Sequence, residues 1–168
     1  HRSGTTWIGK TVSQRKDILY VHEPFNVDYP NKLMKFKLDV WYSHLESSKQ
    51  KNEIVEAFKN ILQQNPVKRS LSLCREAGAD IPNPLLFVKH LWSETFGKTQ
   101  ILFKDPLALL SAGSLYEIFD FKVICMIRSP LAFVESVKKA GWDFDFEHLQ
   151  KQEVLMERCL HKYADKIN

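Results

Sequence analysis

Three short apolar runs, each stopped by a charged or polar edge, set the strongest limit on what this chain can fold into. Ile18–Val21 runs into His22-Glu23-Pro24, Gln100–Phe103 into Lys104-Asp105-Pro106, and Phe121–Ile127 into Arg128-Ser129-Pro130. Runs this short and nearly continuous in apolar residues read as strands buried on both faces. Segments with helical spacing lie between them. Thr5–Arg15 pairs Ile8 with Val12, residues 49–63 carry Ile54, Phe58, Ile61 and Leu62 on one stripe, and Leu85–Phe96 is amphipathic. A helix follows Pro106 to about Phe119, with Asp105 as N-cap, and another runs from Pro130 to Ala140, with Ser129 as N-cap. Phe146–Ile167 reads as a last packing helix, and residues 64–84 as a long connection. Alternating strands and helices predict an α/β fold, a central parallel sheet flanked by helices in three layers. In such sheets ligands bind beyond the carboxyl ends of the strands, where Glu23, Lys104 and Arg128 fall.

The 168 residues suffice for one domain with a real core. Lys and Arg number 24 against 20 Asp and Glu, so the net charge is +4, with the excess in the first half of the chain. That is too weak a field for a polyanion track and suits a local anion site better. No apolar run approaches the roughly 20 residues of a membrane-spanning helix. Cys74, Cys125 and Cys159 are odd in number and lack C-x-x-C spacing, which indicates neither a disulfide framework nor a zinc site. Cys125, inside an apolar run, is expected to be a core thiol. No signal peptide is visible, and the expected location is cytoplasmic.

The first residues carry two overlapping phosphate-binding patterns. Gly4 to Thr11, G-T-T-W-I-G-K-T, satisfies the Walker A pattern of kinases and nucleoside triphosphatases; Lys10 would then touch terminal phosphates and Thr11 would bind magnesium. One register earlier, Arg2-Ser3-Gly4-Thr5-Thr6-Trp7 is a loop leading into a helix near Thr5. Both use backbone N–H groups at a helix start as an anion site. In the second register Lys10 lies more than a turn inside the helix, away from the phosphate, and the bulky Trp7 and Ile8 suit a helix already under way. No Walker-B-like carboxylate closes the strongest apolar run, which ends in Arg128. Further along, Phe133, Ser136, Val137 and Ala140 share one helical stripe expected to face the sheet, so Ser136 can turn towards the strand end that presents Arg128. A guanidinium fork and a hydroxyl meeting at one point suit a phosphate dianion.

Together, R-S-G-T-T-W and F-K-V-I-C-M-I-R-S-P followed by Ser136 resemble the two phosphate sites of sulfotransferases that use 3′-phosphoadenosine 5′-phosphosulfate (PAPS). The resemblance runs from Arg2 to about Trp142. Arg2 in place of Lys, and Ser129 where Asp or Asn is common, make it more similar to carbohydrate, tyrosylprotein and bacterial members than to cytosolic small-molecule ones. It implies a P-loop-like fold and PAPS as co-substrate with no metal. It also implies that Arg2, Ser3, Gly4, Thr5, Thr6 and Trp7 bind the 5′-phosphosulfate, and that Arg128 and Ser136 bind the 3′-phosphate. The acceptor would be a small molecule or a carbohydrate bearing a hydroxyl; nucleic acid is not an expected partner.

Sulfuryl transfer needs a base for the acceptor hydroxyl and cations for the transferring group. Glu23 is the expected base, with His22, pointing the opposite way if the strand continues, and Asp105 as alternatives. Lys104 and Arg2 are the expected stabilisers of transition-state charge, Lys104 otherwise being a surface lysine. Phe25, Tyr29, Phe36, Trp41 and Tyr42 form an aromatic cluster suited to an acceptor pocket or to the core. His44, His90, His148 and His161 show no ligand spacing and receive no role. A phosphate loop of this kind joins a strand to a helix, so the chain is expected to be a single domain, 1–168, lacking an N-terminal strand and a C-terminal part. Three classes follow: a sulfotransferase, a Walker-type kinase or triphosphatase, and a nucleotide-binding module without catalysis.

Overall fold

A computed structural model describes residues 3–15, 17–31, 33–65, 68, 88, 92 and 100–167. The chain is a mixture of helix and strand around a small parallel sheet. Helix α1 is Thr5–Val12, strand β1 Ile18–His22, helix α2 Lys51–Gln63 and strand β2 Gln100–Lys104. After a 3₁₀ segment, Leu107–Ser111, come helices α3 (Ala112–Phe119) and α4 (Pro130–Ala140). The two strands pair in parallel, Ile18 opposite Gln100 and His22 opposite Lys104. Both strands therefore end at the same edge, as their polar stops predict.

The two faces of this sheet are covered differently. Residues two apart along a strand share a face, so Leu19 and Val21 lie with Ile101 and Phe103. That face carries the main core: Val21, Phe25, Phe58, Leu107 and Leu115 are buried together, with Phe58 of α2 set 4.9 Å from the ring of Phe103. The loop from 33 to 38 feeds the same core by alternation, burying Met34, Phe36 and Leu38 and exposing Lys35 and Lys37. On the other face, α1 comes down on Tyr20 and Lys104 through Gly9. A Cβ there would stand 2.9 Å from the Tyr20 ring and 3.0 Å from Lys104 Cγ, so only glycine permits this approach.

Four expectations are corrected. Phe121–Ile127 forms no ladder with β1 or β2. Phe121 packs on Phe58, Phe103 and Phe119, but beyond it the side chains stand open, with Val123 53%, Ile124 80% and Ile127 90% exposed. Cys125 is exposed with them and is not a core thiol. The 146–167 segment is not one helix: Glu147–Gln150 is a short turn of helix (α5), the chain breaks at Lys151 and Gln152, and helical, π and 3₁₀ turns follow from Glu153 to Ile167. The break is held by Gln152, buried to 3% exposure, whose amide serves backbone groups of other segments. Helix α4 starts at Pro130 with Ser129 as N-cap and ends at Gly141 in the left-handed region (φ 61°), closed by Gly141 and Trp142 N–H bonds back to Lys138 and Val137 carbonyls. None of its residues is buried, and Phe133 is exposed rather than seated on the sheet. The connection expected over 64–84 and the helix over Leu85–Phe96 lie almost wholly outside the described residues. Among the described residues no helix is long and apolar enough to cross a membrane.

Candidate functional site

An open cleft of about 1260 Å³ lies at the carboxyl edge of the strands. Its lining brings together residues far apart in sequence: Gly4 to Trp7, His22 and Glu23, Lys104, Arg128 and Ser136. Every described member of the expected site is among them except Ser3, which is half-buried just outside; Arg2 and Cys74 lie outside the described residues.

The helix begins at Thr5, where the earlier of the two registers expects it. Gly4 has φ 87°, a left-handed conformation that costs glycine little, and it serves as N-cap of α1 without a side-chain capping bond. The first amide bonded within the helix is that of Ile8, to the Gly4 carbonyl at 3.2 Å. The N–H groups of Thr5, Thr6 and Trp7 thus precede the helical bonding pattern and, with the Thr hydroxyls, form a donor set at the positive end of the helix dipole. In the Walker register the loop would continue through Gly9, yet Gly9 is a buried interior position of α1. Lys10 is exposed on the second turn, and the Thr11 hydroxyl donates to the Trp7 carbonyl at 2.9 Å. Neither Lys10 nor Thr11 lines the cleft.

At the strand ends a part-buried ion pair joins two of the expected catalytic residues, Glu23 and Lys104. Lys104 Nζ bonds directly to Glu23 Oε1, with side-chain exposures of 4% and 12%. Lys104 is thus not a surface lysine. Glu23 follows the last residue of β1 with φ 38°, a left-handed conformation unusual for a residue with a Cβ, and it is held there by its N–H bond to the Lys104 carbonyl at 2.9 Å. Strand geometry therefore stops at His22, and His22 does not point away: its Nε2 lies 3.8 Å from Glu23 Oε2, and both line the cleft. Asn26 Nδ2 donates to Glu23 Oε2 at 3.0 Å, so each carboxylate oxygen has a donor. Burial works to raise the Glu23 pKa, but the bonds from Lys104 and Asn26, with the ammonium charge, outweigh it and hold the group below its ordinary value. Burial also lowers His22, favouring its neutral form.

Asp105 is turned away from the cleft. Its Oδ2 accepts the Phe25 N–H at 2.6 Å and its Oδ1 the Leu107 N–H at 2.9 Å, so it ties the loop after β1 to the start of the 3₁₀ segment after β2. Burial pushes its carboxyl up to about 6. Its work is structural, but it is not the expected N-cap: that place falls to Pro106, and Asp105 stands one residue before it.

The aromatic cluster divides. Phe25 and Phe36 are buried in the core, while Tyr29, Trp41 and Tyr42 reach the cleft. Facing them is a wall that sequence reasoning missed, residues 142–148. Tyr42 meets Phe144 edge to face at 5.3 Å, and the Trp41 N–H donates to His148 Nδ1 at 3.4 Å. Gln152 pins both parts: its Oε1 accepts the His44 N–H at 2.6 Å, and its Nε2 donates to the carbonyls of Tyr42 at 3.3 Å and His148 at 2.8 Å. The only sequence signal for this wall was the density of aromatic and acidic residues in Trp142-Asp143-Phe144-Asp145-Phe146.

The chain matches no family model, no curated protein and no solved structure. The chemistry of the cleft has to be argued from its own residues.

Proposed function

We propose that the cleft is the active site of a sulfotransferase that moves a sulfuryl group from PAPS to an acceptor hydroxyl, on a three-layer domain of the P-loop-like kind. One observation carries this reading: two phosphate motifs more than a hundred residues apart, and a part-buried carboxylate–ammonium pair, line the same cleft. For the fold, support comes from the parallel pair β1–β2 with α1 on one face and α2 on the other.

The donor set fits a nucleotide with two separate phosphate groups. Backbone N–H groups and hydroxyls at the start of α1 suit the 5′-phosphosulfate, and Arg128 with Ser136 the 3′-phosphate. When bound, PAPS supplies an activated sulfuryl group and a phosphate leaving group. The protein then has to position the acceptor in line, remove its proton and neutralise developing charge. Glu23 and Lys104 are suited to this as a pair. In the free chain they hold each other, which keeps Glu23 ionised. Lys104 swings its ammonium from Glu23 to the oxygens of the transferring group, and the released Oε1 takes the proton of the acceptor hydroxyl. Asn26 keeps its hold on Oε2 and fixes the carboxylate plane. A strained, part-buried acid at a strand end favours catalysis over a purely binding role.

Calorimetry with adenosine 3′,5′-bisphosphate against ATP–Mg tests the nucleotide, and transfer of ³⁵S from labelled PAPS tests the reaction. The bisphosphate is expected to bind, and to weaken at least tenfold when Arg128 is replaced by Ala. Preference for ATP–Mg, with Lys10 required, would move the protein to the triphosphatase class.

A further inference from the structure

Past Glu23 the cleft changes character. The wall built by Trp41, Tyr42 and residues 142–148 presents aromatic rings and carboxylates, and among the described cleft-lining residues the Lys and Arg are Lys104 and Arg128, neither of them on this wall. We propose that this wall is the acceptor subsite, that it takes an uncharged sugar, and that it rejects anionic ones; the assignment of an acceptor rests on the sulfotransferase reading above.

Two carboxylates face the cleft with capacity to spare. Asp143 Oδ1 accepts the Phe144 N–H at 2.8 Å, and Asp145 Oδ1 accepts the Glu147 N–H at 2.9 Å, fixing both side chains at the entry to α5. The second oxygen of each has no hydrogen-bond donor among the described residues, and both residues are exposed and line the cleft. Ionised carboxylates only accept, so they suit a ligand rich in O–H donors. The rings add the other half of sugar recognition: an aromatic face is the negative side of its quadrupole and stacks against the weakly positive C–H face of a pyranose. The Tyr42–Phe144 contact and the Gln152 bonds hold the rings in place before any ligand arrives, which limits the ordering cost of binding. A sugar carrying carboxylate or sulfate groups would bring like charges against Asp143 and Asp145, a repulsive element that sets specificity. A phenolic acceptor would use the rings and leave the carboxylates without donors.

The test titrates the protein, free and loaded with adenosine 3′,5′-bisphosphate, with the N-acetylglucosamine tetrasaccharide and with tetragalacturonate at equal ionic strength, following binding by calorimetry and saturation-transfer NMR. The neutral sugar is expected to bind at least tenfold more tightly. Trp41→Ala is expected to weaken it at least tenfold while bisphosphate affinity stays unchanged. Asp143→Lys combined with Asp145→Lys is expected to reverse the order of the two sugars, and the milder Asp143→Asn to narrow the gap, with circular dichroism confirming the fold. Equal or tighter binding of tetragalacturonate, or binding of neither sugar, would overturn the proposal. Failure of the bisphosphate to bind would instead overturn the donor assignment, and the sugar titrations of the free protein would still decide this one.

Discussion

Glu23 shows how much one position can be made to carry. It ends a strand in a left-handed conformation, takes hydrogen bonds on both carboxylate oxygens, and buries most of its side chain against Lys104. Replacing it by Gln keeps shape and removes the proposed base, so kcat is expected to fall about 10²–10⁴-fold while the affinity for adenosine 3′,5′-bisphosphate stays within about twofold. Undiminished turnover would remove Glu23 from the mechanism. Lys104→Met takes away the bonds and charge that hold the Glu23 pKa down, so the acidic limb of the kcat/KM profile is expected to move to higher pH. Asp105 makes a second, separable prediction. Its folded pKa, about 6, stands above the ordinary 3.8, so the folded state binds the proton more tightly than the unfolded chain does. Its contribution to stability is then complete below about pH 4 and is lost as the pH rises to about 6. Glu23, with a depressed pKa, acts in the opposite sense and only below the ordinary carboxylate range. Urea unfolding between pH 4.5 and 6.5 is expected to show a more positive slope of stability against pH in Asp105→Asn than in the parent chain, because the lowered His22 and His44 pKa values make stability rise over the same window and Asp105 no longer opposes them. At this scale the sequence was informative where a residue sits beside a stop signal, as Glu23, Lys104 and Asp105 do. It was silent on Gln152, whose bonds to His44 and Tyr42 reach 108 and 110 residues back along the chain and follow no spacing rule.

Helix α1 and strands β1 and β2 are joined by the absence of a side chain. A glycine inside a helix ordinarily costs up to about 1 kcal/mol relative to alanine, so at an open position Gly→Ala would stabilise α1. At Gly9 the added Cβ would meet the Tyr20 ring at 2.9 Å and Lys104 Cγ at 3.0 Å. Tyr20 is on β1 and Lys104 is held by Glu23, so neither can yield without moving the site. Overpacking of this kind costs about 1–3 kcal/mol and wins over the propensity gain. Gly9→Ala is expected to lower the urea midpoint and, because Lys104 is displaced, to lower kcat more than it changes bisphosphate affinity. A stabilised, fully active variant would show that α1 does not rest on the sheet as described. This close contact also settles why two overlapping phosphate patterns could be read in the same letters. A pattern records which residues occur, whereas the register depends on where the helix begins, and Gly9 belongs to the helix because its neighbours across the sheet need it there. The wall at 142–148 shows the converse: its segments are mostly irregular, and the long-range bonds of Gln152 to Tyr42 and of Trp41 to His148 set them against the 41–44 segment.

For the molecule as a whole, the division between what is and is not packed follows from pairing rather than from hydrophobicity. Ile18–Val21 and Phe121–Ile127 are equally apolar, and by composition the second is the better strand. A strand, however, is stabilised by its ladder and by cover on its faces, neither of which its own sequence supplies. β1 finds both in β2, α1 and α2, and Leu19 is 1% exposed; Ile124 and Ile127 find neither among the described residues and stand 80% and 90% exposed. Stability should therefore respond unequally to equal changes in composition. Leu19→Ala removes a fully buried side chain and is expected to cost about 2–5 kcal/mol, whereas Ile124→Lys or Ile127→Lys should stay within about 0.5 kcal/mol of the parent chain. Amide exchange reads the same division without substitution. The β1–β2 ladder, bounded by the Gln100 N–H bond to Asp17 and the Glu23 N–H bond to Lys104, is expected to exchange only through global opening, and amides of residues 122–128 at rates near those of an unstructured peptide. Equal protection in the two regions, together with a large cost for Ile127→Lys, would mean that 121–127 is paired and covered in solution. The parallel sheet would then extend beyond two strands, and Arg128 would leave the end of a buried strand as Lys104 does.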